Sequence, residues 1–138
     1  MKSKATLLFA SLVIVSRSAF AGPDDVIGEW RGTSLCTNRQ VAPACNDEQV
    51  KFIFSARGTS VRGMHVDAQK LVGAKYESMG EMDLVYSTEN DAWTYVIDTP
   101  RAKAKWSFRV VKGELAGTLI DHATGLQIRK VSGVRWQK

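Results

Sequence analysis

A chain of 138 residues with 44% hydrophobic and 24% charged side chains has the size and balance of one globular domain, which excludes a large multidomain enzyme and wholesale disorder. Two cysteines exclude a multi-Cys zinc cluster and a disulfide-dense mini-scaffold. The formal net charge of +5 overstates the basicity of the folded domain, because part of it belongs to the first segment.

Residues 1–21 read as a secretory signal peptide. Lys2 and Lys4 form a positive start, Ala5 to Val15 is an apolar run, and Ala19-Phe20-Ala21 is a small-x-small cleavage site. The run is shorter than the roughly 20 apolar residues a bilayer span needs, and no later stretch is long enough. Residue 22 is Gly rather than Cys, so no lipoprotein anchor is expected. Cleavage after Ala21 leaves 22–138 as a single domain, exported to the periplasm or secreted. It also removes Lys2, Lys4 and Arg17, leaving 16 basic against 14 acidic residues and a net charge of +2. So small a surplus gives no support to nucleic-acid binding.

Period-2 alternation runs through the rest of the chain, and long helical periodicity is missing. Strands are predicted over 27–36, 48–56, 60–67, 70–77, 81–87, 92–98, 102–111, 114–121 and 126–136, with 60–67 and 70–77 readable also as one bent strand or a strand and a loop. Val50, Phe52 and Phe54 share one face, as do Met82, Leu84 and Tyr86, and Trp93, Tyr95 and Ile97. The clearest strand carries Ala102, Ala104, Trp106, Phe108 and Val110 on one face and Arg101, Lys103, Lys105, Ser107 and Arg109 on the other. Turn signals separate the runs: Arg57-Gly58-Thr59, Glu89-Asn90-Asp91, Asp98-Thr99-Pro100, Lys112-Gly113 and Ala123-Thr124-Gly125. The predicted fold is all-β, an antiparallel up-and-down meander closing into a small eight- or nine-stranded barrel, because closure removes the edges an open sheet must protect.

Export places Cys36 and Cys45 in an oxidising compartment, where a disulfide is the expected state. Closing a loop of about ten residues stabilises by about 2.5–3 kcal/mol on the chain-entropy estimate. No Cys-x-x-Cys spacing suggests redox activity.

Gly28-Glu29-Trp30 opens the mature domain with a Gly-x-Trp that resembles the lipocalin (calycin) superfamily. A second resemblance spans about 100 residues. It runs through Trp30-Arg31-Gly32-Thr33-Ser34-Leu35-Cys36, Pro43-Ala44-Cys45-Asn46-Asp47-Glu48, Asp67-Ala68-Gln69-Lys70-Leu71-Val72, Met79-Gly80-Glu81-Met82-Asp83, Trp106-Ser107-Phe108 and Leu115-Ala116-Gly117-Thr118-Leu119. In this order the segments are similar to a family of small exported bacterial lipocalin-like proteins. The resemblance implies the barrel and export, with no activity or ligand attached. It also implies that Gly28 and Trp30 are structural, the Trp plugging the closed end and an Arg of the last strand, Arg129 or Arg135, packing across it. The chain is shorter than lipocalins proper and has no C-terminal helix signal.

The inward aromatics point two ways. Tyr86, Trp93, Tyr95, Trp106 and Phe108, with Arg129 or Arg135 for a ligand carboxylate, would line a pocket for a small apolar or amphipathic ligand. The same rings, at about 150–250 Å² each, would also fill a small barrel. The facing of the last strand is open, since Leu126, Ile128, Val134 and Trp136 offer an apolar alternative to the Arg129, Val131, Gly133, Arg135 face. The stripe Arg101, Lys103, Lys105, Arg109 would suit an anionic envelope component or an acidic protein partner, or would be a solvated face paired with Glu81 and Asp83. Its lack of interleaved aromatics disfavours nucleic acid. His65 and His122 are read as exposed or structural rather than metal ligands. No Gly-x-Ser-x-Gly elbow, phosphate loop or acid–base pair is evident. The expected function is therefore non-catalytic binding inside the barrel, without cofactor or metal. The alternative is a surface-mediated interaction or inhibitor protein of the envelope with a filled core.

Overall fold

The computed structural model describes residues 22–57 and 63–137. The expected signal peptide (1–21) and most of the turn at Arg57-Gly58-Thr59 lie outside the described residues. Eight strands follow a short 3₁₀ turn at Pro23–Val26: β1 (Gly28–Cys36), β2 (Glu48–Ala56), β3 (Gly63–Val72), β4 (Lys75–Ser87), β5 (Ala92–Asp98), β6 (Lys103–Val111), β7 (Glu114–Asp121) and β8 (Gln127–Arg135). Each pairs antiparallel with its neighbours in sequence, and β8 returns to pair with β1, so the meander closes into a barrel. No helix among the described residues is long and apolar enough to cross a membrane.

Among the described residues the strands number eight, the lower of the two expected counts. The segment predicted as a strand over 70–77 instead straddles a hairpin whose turn is Gly73-Ala74, with Gly73 at φ 62°. β4 then runs unbroken through Met79-Gly80, where the register with β3 shifts: Ala68 pairs Gly80 but Gln69 pairs Ser78, leaving Met79 extra. This is a β-bulge, with Gly80 at φ 125°. A bulge resets the period-2 pattern, so one bent strand reads in sequence as two. Arg101 falls in the turn before β6, outside the strand assigned to it.

Alternation decides the core. Val50, Phe52 and Phe54 of β2, Met64 and Val66 of β3, Leu84, Trp93, Phe108, Leu115 and Val131 are each at most 2% exposed. An eight-stranded barrel is just wide enough for such side chains to fill. Phe108 meets Phe52 and Phe54 at ring-centroid distances of 5.5 Å and stacks on Trp106 at 5.3 Å. Phe108 takes this place because Gly117 faces it from β7; a Cβ there would stand 2.8 Å from two ring carbons. The closing seam is equally tight. Gly32 pairs Gly133, and a Cβ on Gly32 would lie 1.9 Å from the Ser132 carbonyl oxygen.

One end of the barrel is plugged. Trp30, fully buried, donates its indole N–H to the Val26 carbonyl at 2.7 Å. Trp93 does the same to the Pro23 carbonyl at 2.7 Å. The Arg135 guanidinium lies 4.2 Å over the Trp30 ring and donates to the carbonyls of Ile27 and Asp25. The 3₁₀ turn is thereby strapped across the barrel end, its carbonyls satisfied by three side chains. Cys36 and Cys45 meet at disulfide distance near the opposite end, with Cα atoms 6.0 Å apart. The Asp47 carboxylate accepts the Cys36 N–H at 2.7 Å and holds the same loop.

Candidate functional site at the unplugged end

The last strand presents Arg129, Val131, Gly133 and Arg135 to the interior. Val131 is 1% exposed, whereas Leu126, Val134 and Trp136 are exposed. The sequence leaves this facing open; the register with β1 decides it, setting Val131 opposite the buried Ser34 and Gly133 opposite Gly32.

The seven expected pocket residues divide between the two ends of the barrel. Tyr86, Trp93, Phe108 and Arg135 lie toward the plug. Trp93 and Phe108 are buried there, Tyr86 packs edge-on against Trp93 at 5.2 Å, and Arg135 serves the plug. The crevice beside Tyr86, Trp93 and Phe108 is only about 40 Å³, room for water and not for a small organic molecule. Tyr95, Trp106 and Arg129 lie toward the unplugged end, and the first two line a larger space.

That space arises where two strands part. β4 and β5 share only three residue pairs, Val85 with Thr94, Tyr86 with Trp93 and Ser87 with Ala92. Past them, β4 keeps only its β3 partner and β5 only its β6 partner. The bulge at Met79-Gly80 sits on the separated stretch and bends β4. Between the strands lies a cavity of about 330 Å³, lined by Ala68, Met79, Met82, Tyr95, Ile97 and Trp106, with Glu81 at its edge. Its size falls at the lower end of small-molecule sites, about 300–1,000 Å³. Thioethers and aromatic rings make its walls adaptable and apolar. Met82 and Ile97 already carried inward parity in the sequence. Met79 and Gly80 did not, and a lone Gly within a strand pattern was the one signal of a bulge.

Arg129 does not line the cavity. It stands at the far end of a register row, Arg129 with Leu119, Leu119 with Trp106, Trp106 with Tyr95. Its guanidinium donates to the Ser34 hydroxyl at 3.1 Å and lies 3.8 Å from Glu48. Glu48 also faces Lys70 at 3.8 Å. Arg129 is thus engaged inside the barrel mouth, satisfying buried Ser34.

Glu81 and Asp83 do not pair with the β6 stripe. Both sit on β4 and face His65 of β3: His65 Nδ1 is 3.0 Å from Asp83 and Nε2 is 3.3 Å from Glu81. Strand order explains the correction, since β4 lies beside β3 along this stretch while β6 is beyond the β4–β5 gap. Asp83 also meets Arg57 at 3.6 Å. The hydrogen bond with Asp83, helped by Glu81 and opposed by partial burial, raises the His65 pKa. The same bond, with Arg57 nearby, holds Asp83 below the usual carboxylate range. On the β6 face, Lys103 pairs instead with Asp98 at 3.7 Å. Lys105 and Arg109 border a shallow basin of about 410 Å³ on the outside of β6 and β7, with Ser107, Thr118, Ile120 and His122. No group of three metal-ligating side chains is placed to hold an ion among the described residues.

No family model, no curated protein and no solved structure matches the chain.

Proposed function

We propose that this protein is a non-catalytic, exported, lipocalin-like binding protein that takes a small apolar or amphipathic ligand into the cavity between β4 and β5. The observation carrying this reading is that cavity of about 330 Å³, walled by Ala68, Met79, Met82, Tyr95, Ile97 and Trp106. It opens where the β4–β5 pairing lapses, so a ligand can reach Trp106 without unfolding the sheet. The plugged half, filled by Trp30, Trp93, Phe54 and Phe108, acts as a rigid floor. A site built on strands rather than loops keeps its shape before binding.

Isothermal titration calorimetry of the mature protein with decan-1-ol tests the reading. Saturable binding is expected, weakened at least about tenfold by Trp106→Ala through lost apolar contact area. Met82→Glu, which sets a carboxylate in the cavity wall, is expected to abolish it. Absence of binding to the wild type, or undiminished binding to a folded Met82→Glu variant, would overturn the assignment.

A second reading, binding of an anionic envelope component or an acidic protein, draws on the outer basin bordered by Lys105 and Arg109. Charge reversal at both positions is its test: unchanged retention on anionic vesicles or envelope extract would count against it.

A further inference from the structure

Among the described residues lining the β4–β5 cavity, Glu81 alone is charged. We infer that the ligand of this cavity carries a cationic group beside its apolar body, and that His65 competes with it for Glu81. The inference rests on the cavity being the binding site and adds to it the charge of the ligand and a pH control.

Three observations meet at Glu81. First, Glu81 is one of the residues lining a cavity whose wall carries Tyr95, Trp106, Met79 and Met82. An acidic rim beside aromatic faces favours an ammonium head and disfavours a carboxylate one. Second, Asp67 stands directly opposite Glu81 in the β3–β4 register, and its own carboxylate is occupied by the Gln69 amide at 2.9 Å. Two facing carboxylates repel, so a cation at Glu81 relieves a like-charge pair. Third, the counter-charge now present is His65. Its ring has a carboxylate oxygen within 3.3 Å of each nitrogen, Asp83 on Nδ1 and Glu81 on Nε2.

A neutral imidazole carries one N–H and one lone pair, so it can donate to only one of these carboxylates. The imidazolium, with an N–H on each nitrogen, satisfies both contacts at once. Of the other groups facing it, Ser55 lies opposite on β2 and is uncharged, Asp67 adds negative charge, and Arg57 pairs with Asp83. When the ring loses its proton, the shorter contact to Asp83 persists and the contact to Glu81 is the one released. Glu81, its side chain 67% exposed, is then free to meet a ligand cation. Acidification restores the imidazolium and reclaims the carboxylate. Uptake of a cationic amphiphile is favoured at alkaline pH, above the raised His65 pKa, and weakened in acid.

Calorimetric titration with three ten-carbon probes separates the possibilities: decyltrimethylammonium, decan-1-ol and decanoate, each at pH 8 and pH 5.5. At pH 8 the cation is expected to bind about five- to tenfold more tightly than the alcohol, and decanoate more weakly than either. The cation's advantage over decan-1-ol should shrink about threefold at pH 5.5, and Glu81→Gln should erase that advantage at both pH values. His65→Gln should keep the advantage at pH 8 and remove its pH dependence. If all three probes bind equally, or decanoate binds best, the charge inference fails and the cavity assignment stands. If none binds, the cavity assignment fails. If the pH dependence survives in His65→Gln, the competition by His65 is wrong.

Discussion

Gly117 lies across from Phe108 with no room for a methyl group: a Cβ would stand 2.8 Å from Cδ1 and Cε1 of that ring and 3.1 Å from Val131 Cβ. The Phe108 ring cannot retreat, since Phe52, Phe54 and Trp106 close on it from three sides. Gly117→Ala therefore overpacks a fully buried site, at a cost of about 1–3 kcal/mol. Gly117 takes no left-handed φ, so alanine also fits the backbone and lowers the entropy of the unfolded chain, which offsets about 0.4–1 kcal/mol. The net loss is about 0.5–2 kcal/mol, a drop in Tm of roughly 2–8 °C for a domain of this size. Phe108→Leu alone removes ring contacts and costs about 1–3 kcal/mol. The two changes are coupled, because the shorter leucine vacates the space the new methyl needs. The double variant should be more stable than the sum of the singles predicts by about 1 kcal/mol. Urea unfolding followed by tryptophan fluorescence measures all four corners of the cycle. Strict additivity, or a Gly117→Ala variant as stable as wild type, would refute the packing account of the core.

Gly32→Ala should be harsher, about 3 kcal/mol or more, because its Cβ would meet the backbone oxygen of Ser132 rather than a side chain that can turn away; soluble yield and circular dichroism would register it, and a native-like Tm would contradict the seam geometry. Arg135→Lys should lose about 1–2 kcal/mol, since a lone ammonium cannot both cover Trp30 and bridge the Asp25 and Ile27 carbonyls; full stability in denaturant titration would show that the plug does not depend on the guanidinium fork. Reducing the Cys36–Cys45 link, or Cys45→Ser, should cost about 2–3 kcal/mol by freeing the loop in the unfolded chain, read as a lower urea midpoint. The β3–β4 charge cluster should make stability fall on both sides of mildly acidic pH. His65, raised from 6.5, contributes fully below that value and is lost as pH rises through its folded pKa. Asp83, lowered from 3.8, contributes above that value and is lost as pH falls through its folded pKa. Between pH 6 and 8 the wild-type Tm should drop by about 1–3 °C more than that of His65→Gln, and parallel profiles would remove His65 from the balance.

Alternation along the chain is enough to establish the class of fold and the direction of most side chains. Val50, Phe52 and Phe54, or Trp106 and Phe108, alternate with polar residues, and a pleated strand has no choice but to send them to one side. The two-residue turn at Lys112-Gly113, with φ of 52° and 78°, follows from local chemistry in the same way. Cys36 and Cys45, close in sequence, also met as expected. What depends on how strands meet was not legible. The facing of β8 came from the Gly32–Gly133 seam, a contact between residues about a hundred positions apart. The number of strands turned on the bulge at Met79-Gly80, which interrupts the very alternation that identifies strands. The cavity comes from the parting of β4 and β5, and no pattern within either strand encodes the absence of pairing between them. Likewise His65 finds Asp83 and Glu81 only through register. Alternation is a property of each strand alone, whereas cavities, seams and charge clusters belong to pairs of strands, and only the closed barrel determines which residues those pairs bring together.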